Sequence, residues 1–199
     1  GTLMIADEVA TGFGRTGTMF ACEQAGISPD IMCLAKGLTA GYLPLAATLA
    51  SEAVFAAFSG AYSEYRTLFH GHTYGGNPLG CAAAIANLDV FEREGTVVTA
   101  RERGDLFGQL LDEHIAPLTH SGPPRRVGMM AAFDILRDPE AGLAYGPDER
   151  RGNRAVLKAR EQGVIIRPLG DTMVLMPPLN IPAELLGRMV ETTAQAVRR

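Results

Sequence analysis

Lysine is scarce in this sequence: of its 18 basic residues only Lys36 and Lys158 are lysines. No apolar run approaches the roughly 18 residues that cross a bilayer as a helix, which excludes a helical membrane-spanning protein. Positive charge is never concentrated, and the formal net charge is −4. That balance argues against a nucleic-acid or anionic-membrane binder. The three cysteines, Cys22, Cys33 and Cys81, form no CxxC pair. A disulfide framework or zinc ribbon is therefore not expected, and a reducing cytoplasm is. The first residues, Gly1-Thr2-Leu3-Met4-Ile5-Ala6, have no basic stretch and do not read as a secretory signal. What is present, 47% hydrophobic and 20% charged residues over 199 positions, suits one large or two small globular domains.

The pattern resets near Gly95. Before it, Leu3–Ala6, Ile31–Ala35 and Ala46–Ala50 read as strands, the first two as buried ones ending in charge. Phe20–Ala25 and Glu52–Phe58 read as short helices. Tyr62–Gly76 is a long loop rich in Gly, His and Tyr, a length more common at functional sites. Asn77 and Pro78 supply an N-cap and first-turn proline for a helix to about Glu92. After Gly95 the expected elements are a helix over Val97–Leu118, a strand over Val127–Ile135 and a loop over 138–147. A helix over Glu149–Gln162, short strands at Val164–Arg167 and Met173–Met176, and a helix opened by Pro182 follow. Leu185, Leu186, Met189, Val190 and Val197 are placed on that last helix's apolar face. The expected fold is α/β: a partial large domain with a mostly parallel sheet over residues 1–94, and a smaller α+β domain over 95–199.

Lys158 lies in a polar helical stretch and needs no special explanation. Lys36 follows Ile31-Met32-Cys33-Leu34-Ala35, a strange place for a solvated charge. Asp7 ends the other apolar run, 29 residues earlier. That spacing suits one strand–connection–strand unit, with both side chains at the carboxyl ends of neighbouring strands, where open α/β sheets bind ligands. A lysine buried there has its pKa pushed down and becomes a nucleophile for carbonyl groups. A buried Asp–Lys ion pair with no chemistry is the competing reading.

The wording around these residues is more specific. Asp7-Glu8-Val9-Ala10-Thr11-Gly12-Phe13-Gly14-Arg15-Thr16-Gly17, then Phe20-Ala21-Cys22-Glu23, Pro29-Asp30-Ile31 and Leu34-Ala35-Lys36-Gly37, resembles the signature of class III aminotransferases. These are fold-type I enzymes dependent on pyridoxal phosphate (PLP). His70-Gly71-His72-Thr73-Tyr74-Gly75-Gly76-Asn77-Pro78-Leu79 is similar to the family's phosphate-contacting loop. Ile166-Arg167-Pro168 is similar to its substrate-binding arginine segment. The resemblance implies that Lys36 holds PLP as a Schiff base and moves protons. It implies that Asp7 keeps the pyridine nitrogen protonated. Val9, in the same extended segment, would pack on the ring. Thr73 and the backbone at His72 would bind the phosphate, in a loop reaching the neighbouring subunit's cofactor, so a homodimer follows. Arg167 would grip a substrate carboxylate, with the Gly71 backbone near the substrate. Tyr42–Leu49, His70–Cys81 and Ile166–Pro178 are similar to biotin-pathway members. Enzymes for ω-amino acids, 4-aminobutyrate or ornithine, and a non-catalytic remnant, stay open.

The resemblance covers the family's second half, so this chain alone is expected to bind PLP poorly. Gly12-x-Gly14-x-x-Gly17 formally matches a dinucleotide fingerprint. Five residues separate it from the preceding strand, however, and no long helix follows, so a tight turn is the better reading. His70 and His72 lack a third metal ligand. Cys22-Glu23 reads as packing rather than as a reactive pair, and Arg125-Arg126 as solvated.

Overall fold

The structure, a computed structural model, describes residues 1–198. The chain divides into two compact units, Gly1–Val97 and the residues from Val98 on.

The first unit carries a three-stranded sheet of β1 (Ile5–Asp7), β2 (Ile31–Leu34) and β3 (Ala47–Ala50), in that spatial order. Strands β1 and β2 are parallel, with Ile5 opposite Ile31 and Asp7 opposite Cys33. Strand β3 runs antiparallel to β2. The reason is the connection: between β2 and β3 the chain makes only a 3-10 turn, Lys36–Thr39, and has no crossover helix to return it to the same end. Helix α1 (Ala21–Ala25) is short, and its start is held by Glu23 Oε1, which accepts from the Phe20 amide at 2.8 Å. Helix α2 (Glu52–Ala57) precedes the long loop, in which Tyr62–Glu64 forms one 3-10 turn. Helix α3 (Pro78–Arg93) begins as its sequence signals demand: Asn77 Oδ1 accepts from the Gly80 amide at 2.8 Å, and Pro78 fills the first turn.

The apolar run before Asp7 is not buried, contrary to expectation. Leu3, Met4 and Ile5 are 58%, 43% and 63% exposed. Strand β1 pairs with β2 alone, so it is an edge, and the face that carries Ile5 and Asp7 is uncovered in this unit. The core that does form is small: Phe13, Leu34, Leu38 and Ala84, with Phe20 and Phe91 packed against it. Phe13 stands edge-on to both of those rings, at centroid distances of 5.7 and 6.3 Å.

The second unit is better filled. Helix α4 (Thr96–His114) leads into an antiparallel sheet ordered β4 (Arg125–Val127), β5 (Met130–Asp134), β9 (Thr172–Leu175), β8 (Arg167–Leu169). The single strand expected over Val127–Ile135 is two, because Gly128 takes φ +56° and folds β4 back on β5. Arg125 is not merely solvated, as had been expected. It forks onto Asp134 across the β4–β5 pair at 2.7 and 3.3 Å. Arg126 lies in a notch of α4, where a β-carbon on Gly108 would come within 2.9 Å of its guanidinium. The loop expected at 138–147 contains β7 (Leu143–Ala144), which pairs with β6 (Leu136–Asp138) just before it in a small ribbon. Helix α5 (Arg151–Glu161) ends where Gly163 turns at φ +79° and the Val164 amide donates back to the Ala159 carbonyl at 3.0 Å. Val164 thus closes a helix rather than starting a strand. Helix α6 (Ala183–Arg198) buries Leu186 and Val190, but Leu185 is exposed because it falls one step round the helix from that stripe. Alternate residues of β5 (Ala131, Phe133) and β9 (Met173, Leu175) meet these helices in one continuous core.

Candidate active site

The parallel register carries Asp7 and Lys36 to the same end of adjacent strands. The Glu8 amide donates to the Cys33 carbonyl at 3.0 Å, so the ladder continues one step past Asp7 before the chains diverge. Lys36 follows Cys33 by three residues, a reach of at most about 10 Å. Neither side chain is buried, which corrects the expectation of a buried lysine: the strand before it, Ile31–Leu34, is itself mostly half-exposed, so nothing encloses its end. Among the described residues the two form no ion pair with each other or with any third group. The non-catalytic salt-bridge reading is therefore not what the geometry shows. Asp7 Oδ1 accepts from the Val9 amide at 3.0 Å, which orients an otherwise exposed carboxylate. Val9 is half-buried in a turn, not in an extended segment, because that bond and the Gly12 amide's bond to the Glu8 carbonyl curl the chain at once.

Beneath Asp7 lies Glu8, a residue the sequence reading passed over, 2% exposed. Its Oε1 accepts from the Cys22 amide at 2.8 Å and its Oε2 from the Thr11 hydroxyl. Burial pushes its carboxyl up, but the hydrogen bonds from Thr11, Cys22 and Ala21 outweigh that and hold it below the ordinary carboxylate range. The Cys22 thiol is pushed up, first by its hydrogen bond to Glu8, then by burial and by the Glu8 charge. Cys22 therefore belongs to the packing of the glycine loop, with Glu8 rather than Glu23 as its partner. The loop itself turns tightly, with Gly14 at φ +85° and Gly17 at φ +94°, and opens no long helix that could hold a pyrophosphate.

Lys36 occupies φ +39°, rare for a residue with a β-carbon. Two further unanticipated residues frame it. Phe13 packs against Gly37, where a β-carbon would sit 2.7 Å from the Phe13 Cβ. Asn87, on α3, donates its Nδ2 to the carbonyls of Gly37 at 2.8 Å and Leu38 at 3.1 Å. Asn87 directly follows the alanine-rich run Ala82–Ala86, and nothing in that local pattern announces its partners.

Gly71, His72 and Thr73 lie in an exposed loop. The hydrogen bonds of this stretch stay inside it: His72 Nδ1 accepts from the Tyr74 amide at 3.2 Å, and the His72 carbonyl from the Gly75 amide at 2.9 Å. The structure does not join this loop to Asp7 and Lys36. Arg167 opens β8 in the second unit and is exposed. Its neighbour Pro168 is tolerated because β8 is an edge strand. The strand is pinned from below, where the Gly152 amide donates to Asp171 Oδ1 at 2.7 Å. Among the described residues, no group of three or more His, Cys, Asp or Glu is placed to hold a metal ion.

A lysine and a carboxylate at one sheet end, a glycine-turned loop and a capped helix behind them agree with what sequence and fold comparison finds. The family model of the class-III aminotransferases matches residues 1–197, and the chain belongs to that family. It is 55% identical over 197 residues to the adenosylmethionine-8-amino-7-oxononanoate aminotransferase of Nitratidesulfovibrio vulgaris, across 99% of this chain and 36% of that protein. The crystal structure of the same-named enzyme from Methanocaldococcus jannaschii superposes with a TM-score of 0.94 at 40% identity, over 98% of this chain and 45% of that one. An amine transaminase from an uncultivated Pseudomonas species, in PLP-bound form, gives a TM-score of 0.93 at 38% identity, over 98% of this chain and 44% of that one. The chain thus spans less than half the length of the relatives it matches, and over that span its fold is theirs.

Proposed function

We propose that this chain is the lysine-bearing part of a PLP-dependent transaminase that passes an amino group to 8-amino-7-oxononanoate, a step of biotin biosynthesis. The observation that carries the reading is the unpaired juxtaposition of Asp7 and Lys36 at the ends of two parallel strands. A carboxylate and a lysine amine at neighbouring strand ends, in no ion pair, leave room for a group that takes a base at one end and an amine at the other. PLP fits that donor set, and when bound it supplies the electron sink for carbanion chemistry.

The chain's own residues do the rest. Lys36 Nζ would hold the cofactor and is the amine placed to hold or move a proton beside it. Asp7, oriented by the Val9 amide, holds a proton on the pyridine nitrogen through Oδ2. Val9 offers an apolar flank. The hydroxyl of Thr73 and the amide of His72 are phosphate donors on a loop that stays clear of this subunit's own sheet end, which suits a homodimer with a shared site. Arg167 binds the far carboxylate of the keto acid with two parallel hydrogen bonds, which lysine cannot supply, and the Gly71 backbone lies beside that substrate. A cytoplasmic enzyme accords with three unpaired thiols.

The test uses this chain joined to the N-terminal half that its relatives possess. Borohydride reduction in the presence of PLP is expected to fix the cofactor's mass on the peptide containing Lys36, and Lys36→Ala to abolish that label. Absence of label on the wild type refutes the reading. Consumption of 8-amino-7-oxononanoate, set against pyruvate and 2-oxoglutarate, then separates the biotin-pathway enzyme from an ω-amino acid or 4-aminobutyrate transaminase.

A further inference from the structure

We propose that Asn87 is a positioning residue for Lys36, an assignment that rests on Lys36 being the cofactor-holding amine. Lys36 sits in the left-handed region at φ +39°, where a side chain with a β-carbon is strained unless its surroundings hold it there. The local turn supplies one clamp, the Leu38 amide donating to the Ala35 carbonyl at 2.9 Å. The next bond along, from the Ala40 amide to the Gly37 carbonyl, is long at 3.3 Å. Asn87 reinforces it from outside, its amide nitrogen reaching across about fifty residues of sequence to the carbonyls of both Gly37 and Leu38. Two carbonyls face that amide, so its nitrogen and not its oxygen must point at them.

On its other side the Gly37 backbone is blocked by Phe13, leaving no room even for a methyl group. The peptide following Lys36 is therefore gripped from two directions, by a ring and by a forked donor. Helix α3 is a firm base for the donor. Asn77 caps it, and Ala84, one turn before Asn87, is buried in the same small core as Leu38 and Phe13. An amide in the stripe Ala84–Asn87–Phe91 has no packing advantage over leucine. What it provides is a fixed direction for the Cα–Cβ bond of Lys36.

The test uses the joined full-length protein loaded with PLP. In Asn87→Ala, and in Asn87→Asp, which keeps the shape but loses the donor, the midpoint of the pH titration of the cofactor's visible absorbance is expected to move by about one unit, a tenfold change in the underlying equilibrium. Turnover is expected to fall about tenfold or more while KM for the keto acid holds, since a displaced reacting group loses rate rather than substrate affinity. Without cofactor, the amides of Leu38 and Ala40 are expected to exchange with solvent faster in both variants. A lowered melting temperature with an unmoved titration and unchanged kcat would make Asn87 an ordinary buried amide and overturn the assignment. So would unchanged exchange at Leu38 and Ala40, a readout that holds even if the wild type takes up no PLP and the reading of Lys36 fails.

Discussion

Lys36 and Gly37 divide two jobs that one glycine often does alone. Lys36 takes the left-handed backbone, while Gly37 lies outside that region and supplies space for the Phe13 ring. Gly37→Ala would drive a methyl group against the stem of Phe13, which is hemmed in by Phe20 and Phe91 and has nowhere to move. Overpacking of this kind costs about 1–3 kcal/mol, so a clear drop in melting temperature is expected, together with loss of the lysine's cofactor label. Glu8 allows a second expectation at the same scale. Because its hydrogen bond and charge suppress ionisation of the Cys22 thiol, Cys22 is expected to be alkylated last of the three cysteines at neutral pH. Glu8→Gln removes the charge, and Cys22 labelling is expected to quicken, followed by mass spectrometry of the tryptic peptides. Equal rates at all three cysteines in the wild type would contradict this. Asp7 and Lys36 were legible because each charge ends an apolar run; Glu8 and Asn87 were not. Their importance comes from partners 14 and about 50 residues away, which no local pattern announces.

Among elements, those with local chemical signals emerged at their expected places. Helix α3 begins at its cap, and removal of that cap by Asn77→Ala is expected to cost about 1 kcal/mol, read by denaturant titration. The β4–β5 hairpin was misread as one strand because a run of apolar residues hides the turn at Gly128. Pairing across that hairpin has a pH signature. The Asp134 carboxyl is held below its ordinary range, chiefly by hydrogen bonds from Arg125 and then from Thr172, against a smaller opposing effect of burial. A depressed folded-state pKa gives stability that is fully present above the unfolded value of about 4 and is lost as pH falls through the folded one. Both groups of the pair remain partly exposed, so the contribution is on the order of 0.5 kcal/mol. Melting curves taken through this acid range are expected to fall less steeply for Asp134→Asn than for the wild type. An identical slope would show that the pair does not contribute to acid sensitivity.

For the whole chain, the two units differ in how completely each buries its apolar surface. The second holds a continuous core from Ala100 to Ala196, whereas most of the large exposed apolar side chains lie in the first, among them Ile5, Phe55, Tyr62, Phe69 and Leu79. Composition could not reveal this imbalance, because an apolar run such as Leu3–Ala6 does not say how much of its surface the unit covers. The chain spans less than half the length of the relatives it matches, and on the function proposed above the rest of such an enzyme would cover these side chains. Exposed patches beyond a few hundred Å² drive association, and a unit with few buried contacts opens first. The 199-residue chain by itself is therefore expected to bind an apolar dye, to self-associate, and to be cut by protease within residues 60–76 before any site in the second unit. Supplying the N-terminal half is expected to suppress dye binding and to slow that cleavage, whether or not PLP is present. A monomeric, dye-silent chain whose first unit resists protease as well as its second would show that this sheet needs no cover, and that the exposed strand at its edge is stable as it stands.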